Sequence, residues 1–243
     1  MDQLQTDHLK AYGVAFWTLK NGEEVDWLLN YRGGSFMLNY NGILERELTI
    51  RGVYFEPINT AILTDIFAQI EENNMDMVLL EKLPKIAVYS PPDKQPWDDA
   101  VTLALTYAEI DYEVIFDEQV LTDKLEDYDW LHLHHEDFTG QYGKFYKNYH
   151  NASWYKNMEM QFNATANKFG FSSVHELKKQ IAVKIKSYIQ NGGFLFAMCS
   201  ATDSFDIALA AKNVDKSLLI CPNCNHFSTQ QKCIMKNLFP QPT

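Results

Sequence analysis

The sequence predicts an α/β protein: a mostly parallel sheet with helices on both faces, preceded by a small α/β unit. Three observations carry this expectation. After Leu83-Pro84, short continuous apolar runs alternate with helical stretches, the pattern of βαβ units whose strands are buried on both sides. Before that point, β-rich runs are punctuated by Asn21-Gly22, Arg32-Gly33-Gly34 and Asn41-Gly42, which signal tight turns. The chain of 243 residues is 46% hydrophobic and 14% aromatic, enough to bury a sizeable core. The expected division is a small unit over residues 1–81, a larger α/β domain over 84–215, and a tail over 216–243 that stands apart from the fold.

In the first unit, Tyr12–Leu19 and Val25–Tyr31 are expected to be strands joined by the Asn21-Gly22 hairpin. Ser35–Tyr40 can form a third strand, and Val53–Ile58 is extended. Asn59-Thr60 then caps an amphipathic helix whose apolar face is Ile62, Leu63, Ile66, Phe67 and Ile70. In the second, Ile86–Tyr89 is the first strand, and a helix runs from about Pro96-Trp97 to Ala108. Tyr112–Phe116 and Asp129–His134 are the next strands. Helical stretches over about Tyr142–Phe169 and Val174–Gln190 follow, the latter ended by Gly192-Gly193. Phe194–Met198 is the fourth strand, and Thr202–Ala211 begins another helix.

Charge divides the chain unevenly. The formal net charge is −11, but Lys216–Thr243 carries three lysines and no acid, so the preceding 215 residues carry −14. An acidic body disfavours a phosphate backbone, so nucleic acid is not expected as a partner. No apolar run approaches the length of a membrane span, and the first residues show neither a basic nor an apolar leader segment. Three of the four cysteines, Cys221, Cys224 and Cys233, lie in the tail. With His226 they could make a four-ligand zinc set, but the Cys224–His226 spacing is short for one. The preferred expectation is no metal and a tail outside the evolved fold, as a shifted or truncated reading frame would give.

Ligands of an open parallel sheet bind beyond the carboxyl ends of its strands. Those ends hold Ser90-Pro91-Pro92 with nearby Trp97, then Asp117-Glu118, then His134-His135-Glu136-Asp137, then Cys199-Ser200. Cys199 lies in Ala197-Met198-Cys199-Ser200-Ala201, between strand and helix. A nucleophile at such a turn needs small neighbours two residues either side, which Ala197 and Ala201 are, and the helix behind it offers N–H donors to an oxyanion. The alternative is a small buried hydrophobe. In the cluster His132-Leu133-His134-His135-Glu136-Asp137, strand alternation puts His132, His134 and Glu136 on one side, with His135 and Asp137 on the other. Histidine with carboxylate suits a general base and its orienter, or loop residues capping backbone groups. No HExxH, P-loop or GxGxxG is present, so no cofactor is expected.

Several longer stretches carry a resemblance. They are His8–Gly13, Trp27–Phe36, Lys85–Tyr89 with Gln95–Ala100, Tyr128–Tyr142 and Phe196–Ala210. Over about residues 5–214 the chain resembles a family of Bacteroidetes proteins labelled asparagine synthetase B. Members are longer and usually begin with a signal peptide, so the resemblance implies an exported protein cut at both ends here. Position 2 is Asp2 rather than an N-terminal cysteine, and the Ser-Gly-Gly-x-Asp-Ser pyrophosphate loop of glutamine-dependent asparagine synthetases is missing. The second half resembles the class I glutamine-amidotransferase-like, flavodoxin-like fold and its trehalose-utilisation (ThuA-like) branch. Gly192-Gly193-Phe194 through Cys199-Ser200-Ala201-Thr202-Asp203 matches the branch's strand and turn, with Cys where the branch has His. Class I amidotransferases place Cys there, followed by a downstream His-x-Glu, whereas His134-His135-Glu136 lies upstream.

Two functional expectations follow. In one the domain is an amidotransferase-like enzyme, with Cys199 as nucleophile, His134 as base, Glu136 as orienter, and Ser200 and Asp203 contacting ligand. In the other it is a non-catalytic domain binding a carbohydrate or other small molecule through Trp97, Trp130, Trp154 and the cluster of His132, His135 and Asp137. The reaction and the oligomeric state are not readable from the chain.

Overall fold

The computed structural model describes residues 4–91, 100–134, 136–140 and 148–211. It divides into two compact units, one over residues 1–85 with 95–112, the other over 86–94 with 113–243. The earlier signals at Trp97, His135 and the tail residues Cys221, Cys224, His226 and Cys233 lie outside the described residues.

The first unit begins with helix α1 (His8–Lys20). This corrects the expectation of a strand over Tyr12–Leu19. Val14, Phe16 and Thr18 are β-formers, yet the Asp7 side chain accepts from Lys10 N at the helix start, and the Thr18 hydroxyl bonds the Val14 carbonyl at 3.0 Å. Local capping and the burial of Gly13–Phe16 outweigh a weak intrinsic preference. The Asn21-Gly22 pair does not close a hairpin. Asn21 caps the helix, and Gly22 at φ 80 supplies the left-handed residue that ends it.

Strands β1 (Val25–Leu29), β2 (Ser35–Met37) and β3 (Asp76–Leu80) make an antiparallel sheet of order β2-β1-β3. Trp27 stands opposite Phe36 and Val78. Helix α2 (Gly42–Ile50) starts where Asn41 accepts from Ile43 N and Leu44 N, so Asn41-Gly42 opens a helix rather than a turn. Residues 53–58, expected to be extended, lie in no helix or sheet. Helix α3 (Thr60–Glu72) follows the Asn59 cap, as its apolar spacing predicts. Val14, Leu44, Leu48 and Val53 form the small core. Helix α4 (Ala100–Ala108) also belongs to this unit, where Gly13 lets α1 approach the Ala108 carbonyl closely.

The second unit is built on four parallel strands: β4 (Ile86–Tyr89), β5 (Glu113–Ile115), β6 (Trp130–Leu133) and β7 (Phe194–Ala197). Their order is β5-β4-β6-β7. The direction of winding thus reverses between β4 and β6. Its helices among the described residues include α5 (Asp117–Leu121), α6 (Ser153–Lys168), α7 (Val174–Gln190) and α8 (Ser200–Ala210). Helix α7 matches its expected bounds and is capped by Ser173, which accepts from Glu176 N. Of the stretch expected over Tyr142–Phe169, residues 141–147 lie outside the described residues and Ser153–Lys168 is helical, while α8 begins two residues earlier than expected.

One sheet face packs the core. Ala87, Tyr89, Ile115, Leu131 and Leu133 meet Leu177, Ile181 and Ile185 of α7, together with Ala201 and Ala208 of α8. Period-two alternation sends Val88, His132, Phe194 and Phe196 to the other face. There Val88 and His132 are buried, whereas Phe194 and Phe196 at β7 remain 58% and 47% exposed. Among the described residues, no helix is long and apolar enough to cross a membrane.

Candidate functional site

The carboxyl ends of the four parallel strands gather Tyr89 and Ser90, Phe116 and Asp117, His134 and Glu136, and Met198 through Ser200. Cys199 sits between β7 and α8 with φ 55 and ψ −141. That is a conformation glycine tolerates and other residues avoid, at a cost of roughly 1–3 kcal/mol. Backbone bonds hold the turn against this strain. Met198 N donates to the Leu133 carbonyl at 3.0 Å, and Ala201 N to the His134 carbonyl at 3.2 Å. The Thr202 hydroxyl donates to the Cys199 carbonyl at 2.5 Å. The strand-to-helix turn is thereby pinned to the end of β6, and the Cys199 thiol is exposed.

The expected neighbours are placed unevenly. Ser200 opens α8, and Asp203 lies in its first turn. His134 is joined to Glu136 through its backbone N–H, which donates to Glu136 Oε2 at 3.1 Å. No hydrogen bond joins Cys199 to His134 or Glu136 among the described residues. His132 and His134 do share a side, their rings 6.2 Å apart, and Phe196 stacks on His132 at 5.6 Å. Glu136 lies beyond the last residue of β6, Leu133, and its charge contributes to raising the Tyr89 hydroxyl. Asp137 accepts from the Thr139 hydroxyl at 2.5 Å and the Thr139 N–H at 2.8 Å, a loop-stabilising turn. Trp130 is the first residue of β6, at the end of the strand remote from His134, and Trp154 lies in the first turn of α6 against Tyr149 and Tyr155.

The structure adds a buried polar cluster beneath β4 and β5. Lys178 of α7 donates to Asp117 Oδ1 at 2.7 Å and to the Tyr89 hydroxyl at 2.9 Å. The Tyr89 hydroxyl itself donates to Asp117. Lys178 is 4% exposed and Asp117 1%. The ammonium is boxed by rings, with Phe116 at 4.2 Å and Tyr89 and Phe162 both at 5.3 Å. Burial, then the charges of Asp117 and Glu136, push the Tyr89 hydroxyl well above its ordinary pKa, so it remains a proton donor. Asp117 Oδ2 is buried without a hydrogen-bond partner. Asp117 was legible as a strand-end residue. The signal for Lys178 is its place in the apolar stripe Val174, Leu177, Ile181, Ile185, Tyr188, where lysine is out of pattern.

Among the described residues, no group of three or more His, Cys, Asp and Glu side chains could hold a metal ion. Compared with known proteins, the chain matches no family model, no curated protein and no solved structure.

Proposed function

We propose that the parallel-sheet domain is a thiol-dependent amidohydrolase or amidotransferase of the class I glutamine-amidotransferase-like, flavodoxin-like type. On this reading it belongs with the proteins labelled asparagine synthetase B that its motifs resemble. The observation that carries the proposal is the strained backbone of an exposed cysteine at a strand-to-helix turn. The strand order, 2-1-3-4 within the sheet, supports the flavodoxin-like part.

In this mechanism His134 takes the Cys199 proton, and the sulfur adds to the carbonyl carbon of a carboxamide. The Ser200 N–H faces the developing oxyanion. Collapse breaks the C–N bond while His134 returns the proton to the departing amine, and water then cleaves the thioester. Glu136 fixes the His134 backbone.

A second reading, a non-catalytic ThuA-like domain binding a sugar or similar ligand, is favoured by the half-exposed Phe196 stacked on His132, a platform of the kind sugar rings use. One experiment separates them. Iodoacetamide labelling near neutral pH with peptide mapping, alongside turnover of a carboxamide panel, should show rapid Cys199 modification. Cys199→Ala should lose activity by about a thousandfold. Full activity in Cys199→Ala removes the nucleophile. An unreactive thiol in a protein that binds sugars supports the second reading.

A further inference from the structure

Ser204 of α8 is fully buried, yet it is polar. The other buried residues of the helix, Ala201 and Ala208, are alanines, so packing alone would accept alanine at 204 as well. A serine hydroxyl inside a helix commonly bonds a carbonyl of its own preceding turn. Here that carbonyl, of Ala201, lies at 3.4 Å, whereas the Glu136 carbonyl lies at 2.8 Å. The hydroxyl carries one proton, and the nearer acceptor takes it, 68 residues away in the chain.

That bond closes a ring of contacts at the Cys199 turn. Ala201 N, two residues after the cysteine, donates to the His134 carbonyl at 3.2 Å. His134 N donates to the Glu136 carboxylate at 3.1 Å. The Glu136 carbonyl accepts from Ser204, one turn further along α8 than Ala201. The start of α8 thus grips residues 134 and 136 at separate points. The far end of the same loop is anchored to α7, where the His175 ring bonds the Thr139 carbonyl. A Cβ at Gly140 would come within 2.7 Å of the His175 Cα, so the loop is seated there without room to shift. Slack introduced at Ser204 would therefore be taken up around residues 134–136.

We propose that Ser204 is a positioning residue for the thiol chemistry. Its hydroxyl fixes the Glu136 main chain, and through the Glu136 carboxylate the His134 backbone, against the turn that carries Cys199. The role rests on the function proposed above, with Cys199 as nucleophile and His134 as its base. Ser204 transfers no proton; it sets where the base stands.

The test is iodoacetamide labelling of Cys199 in the full chain, read by peptide mapping, in wild type, Ser204→Ala, His134→Ala and the double variant. Ser204→Ala should keep a cooperative melting transition, because alanine already serves at 201 and 208. At pH 7 each single variant should label about tenfold more slowly than wild type, and the double variant no more slowly than the slower single one. Near pH 9.5, above the ordinary thiol pKa of roughly 8.5, the sulfur ionises without a base and all four rates should converge. A general loosening of the fold would instead alter the rate at every pH and compound the effect of His134→Ala. If His134→Ala labels as fast as wild type, the base assignment falls and takes the role of Ser204 with it. If His134→Ala is slow while Ser204→Ala is not, or the two effects multiply in the double variant, the base assignment stands and the proposal for Ser204 is overturned.

Discussion

Lys178 shows how much one side chain decides. It occupies a position that the helical repeat assigns to apolar residues, and it is tolerated because Asp117, Tyr89 and three ring faces replace its hydration. Lys178→Met should lower the unfolding free energy by about 3–5 kcal/mol, because it strands Asp117 as an uncompensated buried charge. Pairing it with Asp117→Asn should recover much of that loss. Chemical denaturation of the single and double variants measures both, and equal losses would show that the pair does not couple. Cys199 differs in kind. Its small neighbours were legible from the chain, but the positive φ that makes it a candidate nucleophile was not, because that angle is imposed by the backbone bonds to Leu133 and His134.

At the scale of elements, α1 and α7 mark the limits of pattern reading. Helix α7 was legible because its apolar stripe, serine cap and terminal Gly192 at φ 103 all agree. Helix α1 was misread because its local preferences and its environment disagree. What settles it is packing within the first unit, where Gly13 lies against α4. A Cβ at Gly13 would come within 1.9 Å of the Ala108 carbonyl oxygen. Gly13→Ala should therefore destabilise by about 1–3 kcal/mol through forced separation of the helices, although alanine is the better helix former. A melting curve at or above wild type would show that α1 and α4 can part without cost.

For the whole molecule, the titrating groups set opposite limits. Asp7, held by Tyr107 and the Lys10 N–H, and Glu109, held by Lys10 and Arg51, have carboxyls lowered from 3.8 and 4.5. Glu56, held by Arg32 and Tyr54, is lowered in the same way. Their contribution is complete above those unfolded values and drains as pH falls through the lower folded ones. All three lie in the first unit, so acid should weaken it first. In the second unit, burial and then Glu113 raise Tyr128 from 10.0 to about 12, and burial and then Asp117 raise Tyr89 well above 10.0. These phenols contribute fully below pH 10.0 and lose that contribution as pH rises through their folded values. Melting temperature against pH should fall at both ends, and Tyr128→Phe should shallow the alkaline limb. An unchanged alkaline limb would count against the Tyr128 assignment.

The sequence by itself determined the alternation of parallel strands and helices after residue 84, the bounds of α7, and the polar and thiol residues at the strand ends. Each is written in local periodicity and turn chemistry, which need no distant partner. Only the tertiary structure decided that residues 8–20 are helical, that Lys178 reaches Asp117 and Tyr89, and that the turn at Cys199 is pinned to the end of β6. Those outcomes depend on contacts between residues far apart in the chain. Such contacts are fixed by which surfaces bury together, and no local pattern encodes that pairing.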